Sequence, residues 1–491
     1  MMFNLISAYS KYNRGIGFRN KLPWPHIRED MNIFNKITSF VKNPKKKNAV
    51  IMGRKTWDSL PKKPLPNRIN IILTNSTNNY SQFPNTLTSC SLDNALNVTN
   101  SIMFKNIIED VFIIGGQKVY EDAIKHPNCN KVYITEIPGH YEADTFFPKM
   151  PGWIKLVEKE EIYSEKIKDN ILFKTYKNMS DPNSLELQYL NSMKRILEEG
   201  EFINDRTGVG TLSVFDENMR FTIETLNPNE TDQTKLQYRV PALTTKSLYM
   251  SGIVWELIWF LKGNTDAKWL QDKKVHIWDG NTSREYLDNY GFKDYPEGEL
   301  GPGYGHQWVN WGGTHPIIGN NNNKIEGINQ IKRIINLLRE KPATRRAVLS
   351  AWNVSDLDKM ALVPCHMMYI FKISDHNKEK KKLNCKVIIR SNDMFLGNPF
   401  NIMSTTILTI LMSRVLNMLP GTIAISISDA HIYKNHIEQT KQQLERVPLK
   451  FPILEINKSL ESYEDMCKLV YDDFKMKEYY HWPKIKAEMA A

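Results

Sequence analysis

The chain has 491 residues, too long for one ordinary core, so two or more domains are expected. Hydrophobic residues at 41% and charged residues at 24% are ordinary for a globular protein; no apolar run is long enough to span a membrane, and Met1 to Ser10 lacks the basic start of a secretory signal. The net charge of +11 lies almost wholly in the first third, where residues 1–180 hold 26 Lys+Arg against 16 Asp+Glu; this reads as a solvated basic surface or as attraction for a polyanionic small molecule, and no nucleic-acid-binding motif accompanies it.

In chain order, Phe3 to Tyr9 reads as a buried strand. A loop follows with Gly15-Ile16-Gly17 and Leu22-Pro23-Trp24-Pro25. A helix is expected from about Ile27 to Phe40, with Asp30, Ile33, Phe34 and Ile37 on one face. A carboxylate on an apolar face is costly unless partnered. Asp30 is therefore either paired with a backbone donor or an arginine, or awaits a ligand with paired N–H donors. Ala49 to Met52 is a strand running into Gly53-Arg54-Lys55-Thr56-Trp57. Glycine, basic residues and a hydroxyl at a helix start make an anion cradle. Ile69 to Thr74 is a third strand, and Val111 to Ile114 a fourth that meets Gly115-Gly116-Gln117. Two such turns suggest a dinucleotide, although GxGxxG is absent. Strands at Lys131 to Ile137 and Asn170 to Lys177 complete an alternation that predicts an α/β sheet.

This first segment resembles dihydrofolate reductase along its length. The resemblance is carried by Leu22-Pro23-Trp24-Pro25 with Asp30, Val50 to Trp57, Pro66-Asn67-Arg68-Ile69-Asn70, Ile113-Ile114-Gly115-Gly116 with Tyr120, Thr135, and Asp144-Thr145-Phe146-Phe147-Pro148. It implies an NADPH-dependent reduction in which Asp30 holds the pterin and helps position the water that protonates N5. Phe34 would stack near the pterin and aminobenzoyl rings, and Arg68 would pair with the folate α-carboxylate. Ile6, Ala8, Ile114 and Thr135 would complete the folate site. Gly53, Arg54, Lys55, Thr56, Gly115, Gly116, Gln117 and Tyr120 would hold NADPH, and Tyr12 to Leu22 would be a mobile lid.

Asn178 to Ser184 is short and polar and contains Pro182, a linker composition. A helix with an apolar stripe of Leu187, Leu190, Met193, Ile196 and Leu197 follows and ends at Gly200. Asp205-Arg206-Thr207-Gly208 reads as a turn. An apolar helix is expected from Thr244 to Leu261 with Glu256 as its lone acid, either satisfied by a hydrogen bond or poised for proton transfer. The run Asn320 to Asn323 reads as an exposed loop. Leu362-Val363-Pro364-Cys365-His366 then sets a thiol between a proline and an imidazole. A neighbouring imidazole or positive charge can favour the thiolate, the nucleophilic form. Arg345-Arg346 upstream and Arg390-Ser391-Asn392-Asp393 downstream suit a phosphate, because the guanidinium fork binds oxygens bidentately. Five cysteines without a CxxC argue against disulfides or zinc and for a reducing compartment.

This second segment resembles thymidylate synthase up to Met489-Ala490-Ala491, and the two in this order resemble the bifunctional protozoan enzymes. The resemblance implies that Cys365 attacks C6 of dUMP, that Glu256 organises water near uracil O4, and that Tyr304 with water helps remove the C5 proton. Asn401 would orient the uracil, and His431 and Tyr433 the ribose hydroxyl. Arg206, Arg390 and Ser391 would hold the phosphate, with Arg345 and Arg346 supplied by the other subunit of a homodimer. Trp278 and Asp393 would contact 5,10-methylenetetrahydrofolate, and Asp393 would also border the nucleotide. Three positions depart from the family pattern. Ile389 stands where glutamine is usual, Asn392 replaces a small residue or cysteine, and Gly303 replaces a branched residue before Tyr304. With the nucleophile and arginines in place, a modest loss of affinity or turnover is expected.

The expected architecture is an α/β reductase domain over 1–178 with a mainly parallel sheet, a short linker over 179–185, and an α+β synthase domain over 186–491 whose mixed sheet forms the dimer face. The expected location is cytoplasmic, with no metal and no membrane or nucleic-acid partner. The alternative is one impaired domain kept as a folate-, nucleotide- or RNA-binding regulatory module.

Overall fold

The computed structural model describes residues 2–76, 80, 82–126, 128–181, 184–205, 207–317 and 324–488. The chain divides into two compact units, Met1–Ser180 and Asp181–Ala491.

The first unit is built on an eight-stranded sheet. Its strands are β1 (Phe3–Ser10), β2 (Lys47–Gly53), β3 (Arg68–Leu73), β4 (Thr86–Ser89), β5 (Ile108–Ile113), β6 (Cys129–Ile137), β7 (Ile154–Ser164) and β8 (Asp169–Asn178). They lie in the order β4-β3-β2-β5-β1-β6-β8-β7. The first six are mutually parallel; β8 and β7 are antiparallel additions at one edge. Side-chain alternation divides the core between the two faces. Leu5, Ala49, Ile51, Ile113 and Ile134 pack on one face. Ile6, Val50, Met52, Phe112 and Ile114 pack on the other, where Phe34 and Ile37 of helix α1 (Arg28–Ser39) cover them. Burial on both faces is why these strands read as continuous apolar runs. The edge strand β7 was not expected, because its middle, Glu158 to Glu161, is charged and exposed. Such charge is how an edge is kept from pairing further. Within the expected lid, Gly15–Gly17 pairs with Thr145–Phe146 as a small ribbon.

The second unit holds a six-stranded mixed sheet of β9 (Glu201–Ile203), β10 (Thr211–Thr222), β11 (Val348–Ser350), β12 (His366–Ser374), β13 (Lys382–Asp393) and β14 (Leu419–Tyr433). The order is β9-β10-β14-β13-β12-β11, and only β13 and β14 run parallel. Helix α2 (Gly397–Val415) returns the chain between those two and is buried almost throughout. On the sheet's core face lie Cys385, Val387 and Ile389; the other face carries Met368, Ile370 and Ile388, only partly covered.

One expected helix is shorter than its sequence suggests. Helix α3 begins at Met250, not Thr244, and ends at Leu261. The preceding residues have other partners. Buried Glu186 takes the backbone N–H of Thr244 (2.9 Å) and Thr245 (2.8 Å), and the Thr244 carbonyl accepts from the Trp482 N–H (2.8 Å). The expected loop at Asn320 to Asn323 and the terminal Met489-Ala490-Ala491 lie outside the described residues, as do Pro182 and Asn183 of the expected linker.

Candidate active sites

In the first unit, Asp30 enters from the first turn of α1 and is 5% exposed. Burial pushes its carboxyl up to about 6, against a hydrogen bond from Thr135 and the charge of His26. Thr135 lies on β6, beside Ala8 of β1, and Ile6 and Ile114 line the same face. Arg68, at the start of β3, is 3% exposed. It donates to Pro66 O (3.0 Å) and Thr38 Oγ1 (2.6 Å), and its guanidinium lies 6.0 Å from the Phe34 ring. Thr38 in turn donates to Phe34 O (2.7 Å), tying Arg68 to α1. Among the described residues no carboxylate forms an ion pair with Arg68. A buried acid and a buried cation thus lie on either side of Phe34.

The two glycine turns meet. Gly53 N–H donates to Gly115 O (2.8 Å). Gly115 has φ 120°, a region that favours glycine, and a Cβ there would meet the Tyr120 ring at 3.3 Å. A Cβ on Gly116 would sit 3.2 Å from Thr56 Oγ1. Tyr120 is buried and donates to Ile6 O (2.7 Å), which links this turn to the Asp30 face. Arg54 and Lys55 are exposed beside it, while Gln117 is engaged with Glu121 and the Phe146 N–H. Bare backbone, a hydroxyl and two exposed cations fit a phosphate-bearing cofactor such as NADPH.

In the second unit, Cys365 is half-buried just before β12. The charge beside it comes from β13. Arg390 donates to Pro364 O (2.9 Å) and Val363 O (3.0 Å), which holds its Nη2 3.9 Å from Cys365 Sγ. The adjacent imidazole, one of two candidates for activating the thiol, does not serve. His366 turns into the core, 4.4 Å from the Tyr304 ring and hydrogen-bonded to Tyr369 (3.1 Å), and burial lowers its pKa to about 3. Tyr304, at the start of the short helix Tyr304–Val309, accepts the Cys365 N–H through its hydroxyl (2.6 Å). Burial holds that phenol well above its usual pKa, with the Cys365 charge adding to the effect. Glu256 on α3 accepts from Trp278 Nε1 (2.9 Å), and burial raises its carboxyl to about 7 despite that bond.

The end of the sheet gathers the remaining polar residues. Ser391, Asp393, His431 and Tyr433 lie on facing stretches of β13 and β14, with Asp393 opposite His431. Asp393 accepts from the N–H groups of Phe395 (2.8 Å) and Leu396 (3.2 Å). Asn401, on α2, donates to Asn392 Oδ1 (3.4 Å). Two groups carry no role in the sequence reading. Asp429 binds Ser391 and His431 together, and Lys246 is 6% exposed beneath Phe395 O, its pKa lowered to about 7 by burial. Asp429 stands two residues before His431, but the strand that brings Ser391 to it is not readable from that spacing. Arg345 and Arg346 are exposed just before β11. Arg206 lies outside the described residues.

The family model described as dihydrofolate reductase matches residues 2–178, and that described as thymidylate synthase matches residues 187–491. A bifunctional dihydrofolate reductase-thymidylate synthase of Arabidopsis thaliana is 37% identical over 99% of this chain and 88% of its own. Those of Paramecium tetraurelia and Leishmania major are also 37% identical, over 99% of this chain and 98% and 95% of theirs. The chain belongs to the bifunctional dihydrofolate reductase–thymidylate synthase family. It is an enzyme with both activities. One reduces dihydrofolate to tetrahydrofolate with NADPH, and the other methylates dUMP with 5,10-methylenetetrahydrofolate to give dTMP and dihydrofolate.

The three departures from that family pattern are all buried. Ile389 is 0% exposed in the core, paired with His366 and Ile427. Asn392 is 3% exposed and accepts from Asn401. At Gly303 a Cβ would press on Leu300 Cδ2 at 3.0 Å. No helix of the described residues is long and apolar enough to cross a membrane, and no described group of three or more His, Cys, Asp or Glu side chains is placed to hold a metal.

Proposed function

We propose that the two activities are divided between residues 1–178 and 186–491, joined by 179–185, with site residues as follows. In the first unit Asp30 binds the pterin ring nitrogens and, with Thr135, orients the water that protonates N5. Phe34, Ile6, Ala8 and Ile114 enclose the pterin, and Arg68 binds the α-carboxylate. Gly53 to Thr56, Gly115, Gly116, Gln117 and Tyr120 hold NADPH, which supplies the hydride.

In the second unit the Cys365 thiolate, favoured by the Arg390 guanidinium 3.9 Å away, adds to C6 of dUMP and makes C5 nucleophilic. C5 takes up the methylene carbon of methylenetetrahydrofolate. Tyr304 with water then accepts the C5 proton while Glu256 organises water at O4; the bond between the methylene carbon and the folate nitrogen breaks, the released tetrahydrofolate gives that carbon a hydride and becomes dihydrofolate, and the thiolate leaves to give dTMP. Asn401 orients the base and His431 and Tyr433 the ribose hydroxyl. Arg206, Arg390 and Ser391 bind the phosphate, while Trp278 and Asp393 contact the folate. The partly covered apolar face bearing Met368, Ile370 and Ile388 supports a homodimer in which exposed Arg345 and Arg346 reach the other subunit's phosphate. The reaction is metal-independent, and the enzyme works in the cytoplasm.

The observation that carries this assignment is the contact of Cys365 with both Arg390 and Tyr304. The purified chain is tested with dUMP, methylenetetrahydrofolate and NADPH, following dTMP, dihydrofolate and NADPH together. Cys365→Ala abolishes only dTMP formation, and Asp30→Ala only the reduction of added dihydrofolate. A chain that reduces dihydrofolate but never forms dTMP would instead carry a binding module in its second unit.

A further inference from the structure

Asp429 lies at the junction of three strands. In the sheet it faces Ser391 on β13 and Phe215 on β10, while Ser213 of β10 faces His431. Its Oδ1 accepts from the Ser213 hydroxyl. Its Oδ2 accepts from the Ser391 hydroxyl (2.7 Å) and lies 3.2 Å from His431 Nδ1. Burial pulls the carboxyl upward, but the hydrogen bonds of His431, Ser213 and Ser391 hold it down at about 2.

The protons in this cluster can be placed. An ionised carboxylate accepts and never donates. The proton between Asp429 Oδ2 and His431 Nδ1 therefore belongs to the ring. While its proton is on Asp429, the Ser391 oxygen acts towards Nδ1, at 3.5 Å, only as a second acceptor; when the hydroxyl turns to a phosphate, Asp429 remains as the acceptor. Nδ1 is thus a donor between two acceptors, and in the neutral ring Nε2 must then be an acceptor. Free imidazole side chains favour the opposite tautomer in water. The carboxylate reverses that choice.

We propose that Asp429 is a positioning residue that fixes His431 as the Nδ1–H tautomer, so that Nε2 accepts a hydrogen bond from the 3′-hydroxyl of the deoxyribose and selects nucleotides that carry that donor. This rests on the reading of His431 as a ribose contact. In dUMP the 5′ position bears the phosphate and the 2′ position no oxygen, so the 3′-hydroxyl is the sugar's one free donor. A 3′-blocked or 3′-deoxy nucleotide would leave the Nε2 lone pair unmatched, and such mismatches discriminate strongly.

The test uses the full chain, with histidine ring nitrogens followed by ¹⁵N NMR and His431 identified by its loss in His431→Gln. In the wild type His431 is protonated at Nδ1, and in Asp429→Ala it shifts towards Nε2–H. The preference in kcat/KM for dUMP over 2′,3′-dideoxyuridine monophosphate falls about tenfold in Asp429→Ala, the scale of one charge-assisted hydrogen bond. The fall comes through KM, with kcat little changed. Asp429→Asn, whose amide oxygen still accepts, restores most of the preference, and Ser213→Ala retains it. An Nε2–H tautomer in the wild-type chain overturns the proposal without need of any variant. So does an unchanged preference in Asp429→Ala when His431→Gln loses it. If wild type and His431→Gln both use the two nucleotides equally, the ribose contact itself is wrong, and the assignment of Asp429 falls with it.

Discussion

At Asp30, the proposed function and stability oppose one another. Its folded pKa of about 6 lies above the ordinary carboxylate value of 3.8. A raised acid carries no penalty below the lower value and its full penalty above the higher one, so the ionised group destabilises the folded state at neutral pH. Asp30→Asn is therefore expected to stabilise the first unit above pH 6 by on the order of 2–3 kcal/mol. Reduction of dihydrofolate should fall by a factor of about 100 or more, with dUMP methylation unchanged. Thermal unfolding at pH 5 to 8 checks this, and a lower Tm for the variant at pH 8 would mean the carboxylate is compensated in place. Glu256, at about 7, makes a parallel case. The kcat of methylation should change across pH 6 to 8, and Glu256→Gln should remove that limb and lower kcat by about 100-fold or more while dUMP still binds. The chain itself marks Asp30, Glu256 and Cys365 as odd polar residues in apolar runs. Which group stands beside Cys365 is not marked, because the adjacent imidazole turns inward and Arg390 arrives from another strand.

Elements set where those residues can act. The register of β13 against β12 and β14 puts Ile389 among His366, Ile427 and the core, so the glutamine usual in the family would bring an amide into an apolar setting. Ile389→Gln is expected to lower stability by about 1–3 kcal/mol and to change synthase kcat/KM less than about tenfold. Denaturant unfolding together with steady-state rates measures both. A rise of orders of magnitude would show that this strand is catalytically impaired by its isoleucine. Buried strands such as β1 and β2 were legible because their apolar runs are continuous. The charged edge strand β7 was not, since one exposed flank erases the pattern. Helix α3 was overextended because propensity says nothing of Glu186, whose carboxylate claims the N–H groups of Thr244 and Thr245. Register itself, and with it the meeting of Asp429 with Ser391, is absent from any local pattern.

For the whole molecule the uneven charge has a kinetic consequence. Residues 1–180 carry 26 basic against 16 acidic side chains, and the remaining residues are nearly balanced. Dihydrofolate released by the synthase is an anion, and the basic first unit should draw it in by a field that salt screens. The lag before tetrahydrofolate appears is expected to lengthen as ionic strength rises from about 0.01 to 0.15 M, as the screening length shortens from about 30 to 8 Å. A lag indifferent to salt would leave the charge as a solvated surface.

Because the two compact units are consecutive stretches of one polypeptide, translation produces the two catalysts in a fixed one-to-one ratio. Neither promoter strength nor gene dosage can alter the balance between the step that oxidises the folate and the step that restores it. Any inherited retuning of that balance has to be written into turnover numbers, residue by residue. A position such as Ile389, buried on β13 next to Arg390, is where such a change could accumulate while both activities persist.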